Sequence, residues 1–137
     1  MRDLQRFVDA QAQSYATALA ELRAGEKRSH WMWYVFPQIA GLGQSHMARE
    51  YALDSLEEAR AYLAHPLLGA RLRECVDALS RLPASATAER VLGGIDAMKL
   101  RSSLTLFARA APEEPRFADA IARWFGGDYD AATDARL

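Results

Sequence analysis

The sequence predicts an all-α fold, and three observations carry that prediction. Apolar residues recur at three- and four-residue spacing along nearly the whole chain. Serine, aspartate, proline and glycine stand where those patterns begin and end, as helix caps and breakers do. No segment shows the β-branched alternation or the hairpin turn that a sheet requires. At 137 residues the chain fits one domain, 1–137, since domains most often run to about 100–150 residues. The expected arrangement is a single compact domain of about seven or eight helices in an orthogonal or irregular bundle.

The first helix is predicted over 3–24, with Leu4, Phe7, Val8, Tyr15, Leu19 and Leu22 on one face, Asp3 as N-cap and Gly25 as stop. Ser29 then caps a short helix through the aromatic block, which ends near Phe36 because Pro37 disfavours a helical residue before it. A strand is the competing reading there, since both alternating sets of side chains are apolar. The absence of any partner strand favours the helix. Gly41 to Ser45 form a turn and a cap, with Ser45 opening a helix over 46–52. Ser55 and Glu58 read as a capping box for a helix over 56–64, whose buried face carries Leu56, Ala59, Tyr62 and Leu63.

His65 and Pro66 break the chain and restart it as a helix over 66–82, with Leu68, Leu72, Cys75, Val76, Leu79 and Leu82 inward. A short helix over 87–93 stops at Gly93-Gly94. Asp96 is expected to cap the next, 97–110, whose apolar residues cover more than one face and make it central. The last clear helix, 116–125, ends at Gly126-Gly127, and a short tail helix follows Asp130.

Composition excludes several classes. The formal net charge of −1 argues against a nucleic-acid binder, which needs a basic surplus or stripe. No stretch approaches the roughly 20 apolar residues of a membrane helix, so no membrane partner is expected. Met1 to Leu4 run straight into an amphipathic pattern, unlike a secretory leader. Cys75 is the single cysteine and cannot form an internal bridge, which points to a cytoplasmic setting. His30, His46 and His65 are widely spread and no metal-ligand spacing occurs, so no metal and no cofactor are expected.

The residues that invite a functional reading cluster in two stretches. Ser29-His30-Trp31-Met32-Trp33-Tyr34-Val35-Phe36-Pro37-Gln38 packs four aromatic side chains into six positions, and Lys27 precedes it. Trp31 and Trp33 offer faces for stacking, while His30 and Gln38 offer polar edges. Core filling explains the same aromatics. Gly41-x-Gly43-x-Ser45 before a helix suits an anion, as backbone donors there favour negative charge, although a plain turn and cap explain it equally. Lys99, Ser102 and Ser103 lie on the otherwise apolar helix 97–110. Ser–Lys nucleophile chemistry would need a hydroxyl within hydrogen-bond reach of a neutral Lys99; pairing of Lys99 with Asp96 is the simpler alternative. Cys75 on a core face reads as a small hydrophobe.

Taken over its whole length, the chain resembles bacterial domain-of-unknown-function family 1810, some of whose members carry the label calpastatin. The resemblance rests on Phe7-Val8-Asp9-Ala10-Gln11, Gly25-Glu26-Lys27, the run Ser29 to Gln38, Gly41 to Ser45, His65-Pro66-Leu67-Leu68-Gly69 and the run Lys99 to Phe107, which together span nearly the whole chain. The resemblance implies an all-helical fold and supplies no catalytic residue. The calpastatin label does not suit it: that inhibitor is repetitive and largely disordered, whereas this chain is apolar and periodic.

Two function classes follow. The first is a small-molecule-binding protein, an enzyme if chemistry occurs, with an aromatic-walled pocket for a nucleotide-like or other anionic ligand. Its binding set is Lys27, His30, Trp31, Trp33, Gln38, Gly41, Gly43, Ser45 and Lys99, and His30 is the candidate acid–base because imidazole titrates nearest neutrality. The second is a helical interaction module without a catalytic site. Convergence of His30, Gln38 and Lys99 on one cavity would favour the first.

Overall fold

Apolar spacing becomes helix along the chain in the computed structural model, which describes residues 3–137; Met1 and Arg2 lie outside the described residues. The described residues form ten helices: α1 (Gln5–Gln11), α2 (Tyr15–Ala24), α3 (Met32–Val35), α4 (His46–Glu50), α5 (Leu56–Ala64), α6 (Leu68–Ser80), α7 (Ala88–Leu92), α8 (Gly94–Ala110), α9 (Pro115–Phe125) and α10 (Ala131–Asp134). Among these residues there is no strand, only an isolated parallel bridge between Ile39 and Leu53. The all-α prediction holds.

Helix α8 is the centre, as its apolar residues require. It packs against α5, α7, α9 and α10, while α6 packs against α2, α5 and α9. Rings run through the core from one helix to the next: Phe7 of α1 meets Tyr62 of α5 edge-on at 5.1 Å, Tyr62 meets Phe107 of α8 at 5.5 Å, and Phe107 meets Phe117 of α9 at 5.7 Å. Such pairs add about 0.5–1.5 kcal/mol each beyond the area they bury. Cys75 is fully buried with its Sγ 3.9 Å from Tyr15 Oη, and burial pushes the thiol up to about 12.

The helix predicted over 3–24 is two helices. Gln11 is the reason: its side chain is buried, its Nε2 donates to Tyr34 O at 2.7 Å, and Arg71 Nη1 donates to its Oε1. The chain turns at Ala12-Gln13-Ser14, where Ser14 Oγ donates back to Ala10 O. The helix count rises above seven or eight through this break and the short α10. Asp3 accepts from Gln5 N at 2.8 Å, but the N-cap position of α1 falls on Leu4 rather than on Asp3. Ser45, Ser55 and Thr87 cap α4, α5 and α7 by accepting the backbone N–H three residues on. His65 caps α6, its Nδ1 accepting from Leu67 N and Leu68 N.

Three local readings are corrected. Ser29 does not cap α3; its hydroxyl donates to Glu21. Asp96 does not cap α8, which starts two residues earlier, and its carboxylate lies inside the first turn. The capping box at Ser55 is half formed, because buried Glu58 pairs with Arg6 at 3.4 Å. Arg6 also donates to Glu50 O and Ala52 O, so this pair ties α1 to the segment before α5.

Candidate functional site

The candidate site forms where three segments meet: the turn after the aromatic block, the start of α8, and the C-terminal strap 128–137. Backbone bonds Ala40 N to Leu53 O (2.8 Å) and Leu53 N to Gln38 O (2.9 Å) pin the base of the turn. Gly41 has φ +97°, a conformation that favours glycine. A Cβ at Gly43 would lie 2.4 Å from Ala48 Cβ, so glycine there lets the turn lie against α4. The strap is tied to α8 by polar contacts. Arg101 pairs with Asp128, and Arg109 holds Asp134 through two bonds of 3.0 Å. Asp130 Oδ2 receives Thr133 N and Thr133 Oγ1 and lies 3.1 Å from Ser102 Oγ.

Between these segments lies a cleft of about 280 Å³. Gln38, Lys99, Ser102 and Asp130 supply its polar groups, and Leu42, Ile95, Met98 and Ala132 its apolar wall. The volume sits near the lower end of small-ligand pockets, about 300–1,000 Å³. Ile95 and Met98 stand 74% and 69% exposed at its edge, and so leave an apolar rim in water.

Beneath the cleft, one carboxylate joins two lysines, each set over a tryptophan. Lys27 Nζ lies 2.9 Å from Asp96 Oδ2, donates to Ser29 O at 2.6 Å and sits 5.1 Å from the Trp31 ring centre. Lys99 Nζ lies 3.8 Å from Asp96 Oδ1 and 5.1 Å from the Trp33 ring centre. Cation–π attraction favours both placements. Lys27 is sealed, with 9% of its side chain exposed, whereas Lys99 keeps 23% and lines the cleft.

The structure therefore brings together three of the sequence-predicted residues, Gln38, Gly43 and Lys99. Gly41 lines an adjoining depression that shares Leu42 and Ala132 with the cleft. Lys27 stands behind, reaching the site only through Asp96. Trp31 is fully buried and cannot offer a stacking face; Trp33 is half-buried with Lys99 against it. The cleft wall is thus aliphatic rather than aromatic. His30 is exposed, lines neither depression, and its imidazole makes no hydrogen bond to any described residue. Ser45 is exposed and serves as the α4 cap. Ser102 bonds toward Met98 O and Asp130 rather than Lys99, and Ser103 Oγ is buried without a partner, so no Ser–Lys pair is assembled.

A family model described as "Protein of unknown function (DUF1810)" matches residues 1–137. The chain belongs to this family. Among solved structures it is similar to the conserved hypothetical protein Rv1873 from Mycobacterium tuberculosis, with 50% identity, a TM-score of 0.96, and coverage of 98% of this chain and 96% of that one. No curated protein matches. In this DUF1810 chain the run Ser29 to Gln38, which carries the resemblance, is mostly core: Trp31, Met32, Tyr34, Val35 and Phe36 are all buried.

Sequence reasoning missed Glu21, which holds this run in place. Its carboxylate accepts Arg28 N at 2.8 Å, Ser29 N at 3.0 Å, Ser29 Oγ at 2.6 Å and Trp31 Nε1 at 2.9 Å. Burial pushes Glu21 up, but these bonds outweigh it and hold the group at about 2. Asp130 and Arg136 were also missed as site residues. Asp130 carried a signal as the cap of the tail helix. A larger and more open trough of about 490 Å³ lies among α5, α6 and the turn into α9, but its cations are committed: Arg73 to Glu114 by a forked pair, and Arg60 Nε to Ala110 O. Among the described residues no cluster of three or more metal-ligating side chains occurs, and no helix is long and apolar enough to cross a membrane.

Proposed function

We propose that this DUF1810 protein binds a small amphipathic anion in the cleft between the Gly41–Gly43 turn, α8 and the strap. One observation carries the reading: Gln38 and Lys99, distant in sequence, supply a neutral donor and a cation to one concave, largely aliphatic surface, whose one carboxylate, Asp130, is engaged by Thr133 and Ser102. An apolar body would cover Leu42 and Met98, and an anionic group would draw Lys99 from its 3.8 Å contact with Asp96. Asp96 keeps Lys27 at 2.9 Å, so that exchange leaves no carboxylate unpaired. The aliphatic wall favours a carboxylate over a nucleotide base, which needs a stacking face. We assign no reaction, since no nucleophile–base pair is assembled and His30 stands apart. A cytoplasmic setting, suggested by the unpaired Cys75, belongs to this reading.

The test is a thermal-shift and calorimetric screen of the full chain against small carboxylates, phosphates and nucleotides. A ligand that binds only the folded state raises Tm. Lys99→Met should abolish the shift while leaving the unliganded Tm within a few degrees. No shift with any anion would refute the reading.

The exposed Ile95 and Met98 favour a second reading, in which the same rim docks a protein partner. Paired changes at Ile95 and Met98 to serine would then weaken association with that partner and leave small-anion shifts intact.

A further inference from the structure

The cleft does not end at Leu42. The depression beyond it, lined by Gly41, Ala135 and Arg136, shares Leu42 and Ala132 with the cleft, so the two adjoin across these side chains. Lys99 lies at one end and Arg136 at the other.

The charges on the strap are nearly all spent. Asp128 is taken by Arg101, Asp134 by Arg109, and Asp130 Oδ2 by Thr133 and Ser102. Arg136 is the cation left over: among the described residues no carboxylate pairs with its guanidinium. Its guanidinium lies beside the turn, where a Cβ on Gly41 would fall 2.2 Å from Nη1 and 2.6 Å from Cζ. A guanidinium with no counter-ion at the edge of a depression is suited to a carboxylate, which it grips through two parallel bonds.

Resting on the anion-binding reading above, we propose that the ligand carries a carboxylate at each end of an apolar spacer, one for Lys99 and one for Arg136, with the spacer crossing Leu42 and Ala132. Asp130 sharpens the choice. It lines the same cleft as Lys99, so a doubly charged phosphate there meets like charge, whereas a single carboxylate meets less. Two separated single charges fit the adjoining depressions better than one concentrated double charge.

The experiment is a calorimetric titration of the full chain with the linear dicarboxylates from glutarate to azelate and with monocarboxylates of matched length. At least one dicarboxylate should bind about tenfold or more tighter than its monocarboxylate match. Arg136→Met should erase that advantage without changing monocarboxylate affinity, and Arg136→Lys should retain part of it. Arg136 is exposed, so neither variant threatens folding. The proposal falls if dicarboxylates bind no better than monocarboxylates, or if the advantage survives Arg136→Met; in both cases the anion-binding reading stands. If neither series binds and the wider anion screen is also empty, both fall together.

Discussion

Lys27 and Lys99 share one carboxylate and are each set over a tryptophan, yet they occupy opposite situations. Lys27 sits 2.9 Å from Asp96, donates to a backbone carbonyl and is walled in; Lys99 sits at 3.8 Å and opens onto the cleft. Residue type and partner are the same in both, so neither decides role. What separates them is what lies on the far side of the ammonium: fully buried Trp31 for Lys27, and an open cleft for Lys99. The Lys27 side is a joint that fixes α8 to the aromatic run. The Lys99 side is a surface with charge to lend.

Substitutions on the two sides should break this symmetry, the largest first. Trp31→Ala should lower stability by about 3–5 kcal/mol in denaturant unfolding, as for other large core truncations. Trp33→Ala, at a half-buried ring, should cost about 1–2 kcal/mol because less area leaves water. Equal losses would show that the two rings are packed alike.

Next come the lysines themselves. Lys27→Met should cost about 1–3 kcal/mol, since it strips Asp96 of its nearer partner and leaves Ser29 O without its donor. Lys99→Met should change stability by less than about 0.5 kcal/mol, as expected for a partly exposed pair at long distance. If the order reverses, Lys99 is the joint, and the cleft loses its available cation.

A further effect is read through pH rather than through a single stability value. Glu21 is held at about 2 in the folded chain against an ordinary 4.5. Its contribution to stability is therefore fully present above about pH 4.5 and is lost as the pH falls toward 2. Glu21→Gln removes that contribution, so the Tm gap between native and variant chains should be constant near neutrality and close toward pH 2. A gap that persists at pH 2 would mean that the carboxylate's charge is not what the four donors respond to.

The legible part of the molecule was the part written in local spacing. Helix type, the stops at Gly25 and Gly126, and the caps Ser45 and Ser55 depend on residues within one turn of each other, and they formed as expected. The break at Gln11 depends on Tyr34 O, 23 positions away, which no local pattern displays. The aromatic run was legible as important but not as core, because apolarity alone does not say whether a ring faces another side chain or a cavity. Glu21 answers that question for Trp31 by capturing its indole N–H, and in the sequence it is an unremarked acid on an amphipathic helix. Of the site, Gln38, Gly43 and Lys99 were visible as polar or small residues among apolar ones. Asp130 and Arg136 were not, since their relevance arises only when the strap crosses α8.

Cys75 has a consequence for time rather than structure. It is the only thiol in the chain, it is fully buried, and its ionisation is suppressed. A thiol reagent in solution therefore has nothing to modify until the packing between α6 and Tyr15 of α2 opens. At saturating reagent the rate of labelling becomes the rate of that opening, and at low reagent it reports the opening equilibrium. The chain thus carries an internal stopwatch, readable without mutation, for comparing how long each of the variants above stays closed.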